Sequence, residues 1–175
     1  LLCFVFIHQV VYPVYFKHLG MSDGLSQVSV MSIYQDCLGR MWFGTREGVS
    51  IYDGERMRVY KGWENLDPES SINVLLGHEC DHLTGNRQGD IFFRTCDSLV
   101  RYDIRGEKFC VVSGCKAKTI TSADGDIWTG YDDMVCRYDE KGDSLQLYAK
   151  TNTPGISSLL ISGKKIWIGT YEGLY

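Results

Sequence analysis

The chain has 175 residues, of which 44% are hydrophobic and 13% aromatic, with a formal charge of −4 and a pI near 5.5. That is ample apolar material for a core and excludes an intrinsically disordered chain. It leaves no basic field, and no Lys/Arg cluster interleaves with aromatic residues, so nucleic acid is not an expected partner.

In chain order, Leu1 to Val11 is apolar apart from His8 and Gln9. The run Leu1 to Ile7 has the length of a short signal-peptide core, so residues 1–14 are read as the remnant of a signal peptide, with an ordinary apolar strand as the alternative. The stretch is too short to span a bilayer. Tyr15 to Leu19 alternates apolar and polar residues and leads into the turn Ser22 to Ser26, which predicts a closing strand whose partner blade is completed by the other end of the protein. Short apolar runs then predict strands near Val28 to Tyr34, Met41 to Thr45, Val49 to Tyr52 and Met57 to Tyr60. They are split by turn clusters at Asp36 to Gly39, Arg46 to Gly48 and Asp53-Gly54, and no apolar period of 3.6 is present.

The stretch Gly39-Arg40-Met41-Trp42-Phe43-Gly44-Thr45 sets a repeat frame. The position of Trp42 recurs at Phe92, Trp128 and Trp167, at steps of 50, 36 and 39 residues. An apolar residue precedes each aromatic, and a Tyr-Asp pair follows ten residues later at Tyr52-Asp53, Tyr102-Asp103 and Tyr138-Asp139. Four short strands repeated every 40 residues or so predict an all-β chain, a β-propeller of four-stranded antiparallel blades. About three and a half blades are present, so residues 15–175 read as an incomplete propeller. The absence of an initial Met and the end inside a repeat suggest a fragment with exposed sheet edges and poor solution behaviour. Trp42, Phe92, Trp128 and Trp167 are expected to be structural anchors between blades.

Candidate ligand contacts come from the turns after the aromatic strands. Glu47, Asp97, Asp133 and Glu172 stand at one equivalent position and would share a face with Arg46, Tyr131, Asp132, Tyr171 and Trp63, the last in an insertion after Lys61. Carboxylates and rings suit a polar ligand such as a sugar, whereas an acid in a polar turn is the plainer explanation. Lys116 to Lys118 and Lys164-Lys165 read as solvated turns.

His78-Glu79-Cys80-Asp81-His82 crowds metal-ligand side chains, and on a regular strand His78, Cys80 and His82 would share a face. The frame places Cys80 to Leu83 in an innermost strand, where a buried cysteine is ordinary, so neither a metal nor any other cofactor is predicted. The seven cysteines form no CxxC pair; Cys110 and Cys115 are the only close pair considered for bridging.

The residues Phe16 to Leu19, Asp23 to Ser26, Ile33 to Asp36 and Gly39 to Gly48 resemble the opening of the periplasmic sensor region of hybrid two-component sensors from polysaccharide-degrading gut bacteria. The recurring unit resembles their regulator-propeller repeat. The Trp-x-Gly-Thr form is kept in the first and fourth copies; the second departs at Phe92-Phe93-Arg94-Thr95 and the third at Trp128-Thr129-Gly130-Tyr131.

The resemblance implies a whole protein with two seven-bladed propellers, a small β-sandwich, a membrane helix, a histidine kinase, a receiver and a DNA-binding output domain. It implies a small carbohydrate ligand, the remaining blades and a second propeller as partners in the same chain, and a homodimer. No catalytic residue is implied in this stretch. The alternatives are a propeller hydrolase or lyase and a protein-interaction propeller. Ser122 to Trp128 resembles an Asp-box turn, but no paired acid and nucleophile stands out.

Overall fold

The computed structural model describes residues 15–61, 78–112, 114 and 116–175. Three four-stranded antiparallel sheets follow one another along the chain, then a three-stranded one. The first comprises β1 (Val30–Gln35), β2 (Met41–Thr45), β3 (Gly48–Tyr52) and β4 (Met57–Tyr60). The second comprises β5 (Asp81–Gly85), β6 (Ile91–Thr95), β7 (Ser98–Asp103) and β8 (Lys108–Val111). The third holds β9 (Thr119–Ala123), β10 (Asp126–Tyr131), β11 (Met134–Asp139) and β12 (Ser144–Lys150), and the fourth β13 (Ile156–Ser162), β14 (Lys165–Thr170) and β15 (Gly173–Leu174). Each is a simple meander, and the predicted strands of the first copy coincide with β1 to β4 to within two residues. The chain is a sector of a β-propeller.

The core lies between the sheets. Trp42, Val49 and Ile51 of the first blade pack with Cys80, Leu83, Ile91, Phe93, Val100, Tyr102 and Phe109 of the second. Phe92 and Leu99 of the second join Ile120, Ile127, Cys136, Tyr138 and Leu145 of the third, and Trp128 and Val135 of the third meet Ile156, Leu159 and Ile168 of the fourth. A meander alone cannot bury both faces, so stacking is what removes this apolar surface from water.

The two halves of the repeat meet across this interface. Trp42 lies edge-on to Tyr102 of the next blade with ring centroids 4.9 Å apart, and Phe92 meets Tyr138 of its next blade at the same separation. Tyr102 and Tyr138, each from a Tyr-Asp pair, therefore receive the anchor of the preceding blade. Trp128 is buried beside Tyr148 of its own blade at 4.7 Å, and Trp167, on the open side of the fourth sheet, is 41% exposed.

Gly44 and Gly130 occupy one repeat position, two residues past the anchor, because the next blade crosses there. A Cβ on Gly44 would strike the Cys80 carbonyl, and one on Gly130 would lie 2.5 Å from Ile156. Arg94 replaces this glycine in the second copy and instead makes a paired contact with Asp81.

Tyr15 to Leu19 forms no strand. Tyr15 and Phe16 are exposed, with no ladder partner among the described residues, and Lys17 donates to the Tyr52 hydroxyl at 3.1 Å. A short 3-10 turn, Met21–Asp23, then precedes the first blade. The expected run of His78, Cys80 and His82 along one strand face also fails. The strand starts at Asp81, and a β-bulge between Asp81 and Thr84 with His82 at φ 52° breaks the alternation.

Candidate functional site

The turns between second and third strands and the connections between blades lie on one face of the sector, because they hydrogen-bond to each other. Cys80 donates its N–H to the Thr45 carbonyl at 2.8 Å, Ala117 to Asp97 at 2.8 Å, Thr151 to Asp133 at 2.8 Å and Ile156 to Asp132 at 3.0 Å. Arg46, Glu47, Asp97, Asp132, Asp133, Tyr171 and Glu172 sit in these turns, and Tyr131 ends β10 immediately before one. Trp63 lies outside the described residues.

Most of the equivalent acids are already matched by cations. Glu47 faces Lys61 at 3.6 Å, Asp97 faces Arg94 at 3.6 Å, and Asp133 faces Lys150 at 3.5 Å. Such surface pairs contribute at most about 1 kcal/mol each, but they leave these carboxylates less free to recognise a ligand. The Glu172 backbone N–H is held by the Thr170 hydroxyl at 3.2 Å, which makes it a turn residue.

Three candidates do converge. Tyr131, Asp132 and Tyr171 line a cleft of about 390 Å³ between the third and fourth blades, with Lys118, Gly155 and Ile156. Asp132 takes the left-handed turn conformation at φ 53°. The Ile156 N–H bond to its carbonyl ties the third-blade turn to the connection that enters the fourth. Gly155, at φ +86°, lies under the Tyr171 ring; a Cβ there would come 2.7 Å from it. The Lys116 ammonium sits 5.5 Å above the Tyr131 ring centroid. The two rings and the polar groups around them can stack on a sugar ring and bond its hydroxyls.

Lys118 and Gly155 were not legible as site residues. Lys118 lies in a connection rather than in a repeat turn, and the signal that could have found it is that every blade-to-blade connection returns to this face. A second polar cluster lies on the same face at the start of β5. Asp81 accepts from Arg94 and stands 2.9 Å from His82 Nδ1. Burial acts to raise the Asp81 carboxyl, but the bonds to His82 and Arg94 outweigh it and hold the pKa below the ordinary value.

Cys80 is fully buried, its thiol pushed up to about 12 chiefly by burial, which makes it inert packing. Among the described residues no group of three or more His, Cys, Asp or Glu side chains could hold a metal ion. Cys110 is a free thiol, and Cys115 lies outside the described residues.

No family model matches the sequence. A 59-residue stretch is 41% identical to histidine kinase P4 of Formosa agariphila, covering 34% of this chain and 4% of that protein. The extracellular domain of a hybrid two-component system from B. thetaiotaomicron superposes with a TM-score of 0.74 at 25% identity, over 90% of this chain and 24% of that one. The chain resembles the sensor region of a hybrid two-component system. Streptogramin B lyase, at 20% identity and a TM-score of 0.53 over 87% of this chain and 56% of its own, shares the fold alone. The chain thus spans about a quarter of the sensor domain it superposes on, and a much smaller share of the kinase. Among the described residues no helix is long and apolar enough to cross a membrane.

Proposed function

We propose that this chain is a ligand-sensing, extracytoplasmic propeller segment of a hybrid two-component sensor kinase. In this reading it binds a glycan breakdown product in the periplasm, and the bound state is passed through neighbouring blades, a second propeller and a homodimer to a kinase elsewhere in the protein, which controls polysaccharide-utilisation genes. The chain performs no chemistry itself; the phosphoryl transfer belongs to the kinase portion.

The observation that carries the binding part is the convergence of Tyr131, Asp132 and Tyr171 on one cleft, in a fold shared with an extracellular domain of such a system. Rings flanking a few hydrogen-bonding groups suit a sugar, whose axial C–H faces stack and whose hydroxyls need fixed partners. The likeness to lyases reaches only the fold, and fold alone assigns no reaction.

Calorimetric titration of the chain with a panel of short oligosaccharides, compared with Tyr131→Ala/Tyr171→Ala, tests this. Binding by the wild type and at least about tenfold weaker binding by the double variant are expected, since one stacked ring is worth roughly 1 kcal/mol or more. Equal affinity for the two proteins would place the ligand elsewhere.

A further inference from the structure

On the ligand face, the cations are not all used. Lys61, Arg94 and Lys150 each neutralise a turn acid. Lys116 and Lys118 lie in the connection that enters the third blade, and neither has a carboxylate partner among the described residues. Lys118 lines the Tyr131–Tyr171 cleft, and Lys116 stands at its edge over the Tyr131 ring. The lining itself holds one ammonium, Lys118, and one carboxylate, Asp132, and Lys116 at the edge adds a second positive charge.

We propose that this cleft selects an anionic sugar, one bearing a carboxylate or a sulfate. The inference rests on the reading of the cleft as a sugar site and adds its charge class. The ligand's acidic group meets the Lys118 ammonium, its ring lies against Tyr171, and a hydroxyl donates to Asp132. A neutral sugar satisfies the rings and Asp132 but leaves Lys118 without a counter-charge. Discrimination then comes from one charge-assisted contact. The side chain is free to do this because Lys118 holds its place in the fold through its backbone, whose N–H donates to the Gly130 carbonyl at 2.8 Å.

The test is titration of the chain with four probes: a glucuronate disaccharide, its carboxyl-reduced counterpart, a sulfated disaccharide and its desulfated counterpart. Each pair keeps the ring and linkage and differs in charge. The expected result is that an acidic member binds at least about tenfold tighter than its neutral partner, and that Lys118→Gln erases this preference. Raised salt should also narrow it. The two acidic probes distinguish carboxylate from sulfate as the charge recognised.

Equal binding of charged and neutral members, with Tyr171→Ala still abolishing it, would overturn the charge assignment and leave the sugar site standing. A preference that survives both Lys118→Gln and Lys116→Gln would also overturn it. Absence of binding by all four probes, and by neutral oligosaccharides at large, would remove the sugar site itself. Lys118→Gln changes an exposed side chain, so matched thermal unfolding of variant and wild type separates a binding effect from a folding one.

Discussion

At the scale of residues, two positions bear more than their neighbours. Asp36, whose side chain is fully buried, accepts from the Trp42 indole at 2.8 Å, the Arg40 guanidinium at 2.6 Å and the backbone N–H groups of Leu38 and Arg40. Burial pushes its pKa up, but the bonds from Trp42 and Arg40 outweigh this and hold it below the ordinary carboxylate value. A depressed folded pKa means that the stability it contributes is present above the unfolded value of about 3.9 and is lost as pH falls through the folded one. Asp36→Ala strands the Arg40 charge and should cost about 3 kcal/mol at pH 7; denaturation midpoints of variant and wild type measured at pH 7 and pH 3 should draw together at the lower pH. A gap that stays constant would show that the carboxylate is not the cause. Gly155 is the second. Gly155→Ala forces a left-handed backbone on a residue that resists it and drives a methyl into Tyr171, so about 1 kcal/mol of stability and a measurable part of the sugar affinity should go together. A variant with unchanged binding would show that the Tyr171 ring does not need this seat.

Among the elements, the pairing of anchor and Tyr-Asp residue sets what the first two blade interfaces are worth. Trp42, fully buried against Tyr102, should lose about 3–5 kcal/mol on truncation to Ala, and Trp167, 41% exposed, far less. Chemical denaturation of Trp42→Ala and Trp167→Ala side by side checks this, and comparable losses would contradict the assignment of the core to the spaces between sheets. The strands were largely legible because alternating short runs and Gly or Asp turns are local signals: Met41–Thr45 and Met57–Tyr60 are found where the sequence places them. The role of the Tyr-Asp pair was not, since Tyr102 reports on a tryptophan 60 residues earlier and only the stacked structure brings them together. For the same reason Tyr15 to Leu19 alternates like a strand yet forms none: alternation records which side chains could face a core, while a strand also needs a neighbour to bond. The site was half legible. Repeat position singled out Glu47, Asp97, Asp133 and Glu172 and brought in Tyr131, Asp132 and Tyr171 only as neighbours on their face; the convergence of those three across a blade boundary, the pairing of Glu47, Asp97 and Asp133 with cations, and the presence of Lys118 depend on how connections fold back over the turns.

For the molecule as a whole, the sector is asymmetric. One face carries the turns between second and third strands, the connections and the Tyr131–Tyr171 cleft. On the other, Arg101 of the second blade reaches Asp143 of the third at 3.0 Å while also holding Asp90 of its own blade at 3.1 Å. This couples the second and third blades next to the cleft's own pair, so a ligand that draws the third and fourth blades together would act on a body already tied to its neighbour. The open side of the fourth sheet exposes Leu160, Trp167 and Leu174 around a hollow of about 360 Å³, and the chain alone is expected to associate through it; sedimentation velocity should show concentration dependence that Leu160→Glu reduces, and a monodisperse wild type would count against that. The central claim, that the turn face is where ligand binds, is met most directly by mapping backbone amide shifts of the chain during titration with the glucuronate disaccharide. Changes centred on Lys118, Tyr131, Asp132, Gly155 and Tyr171 are predicted. Changes centred instead on the opposite-face cleft of about 400 Å³ around Arg87, Arg137 and Glu140 would contradict it.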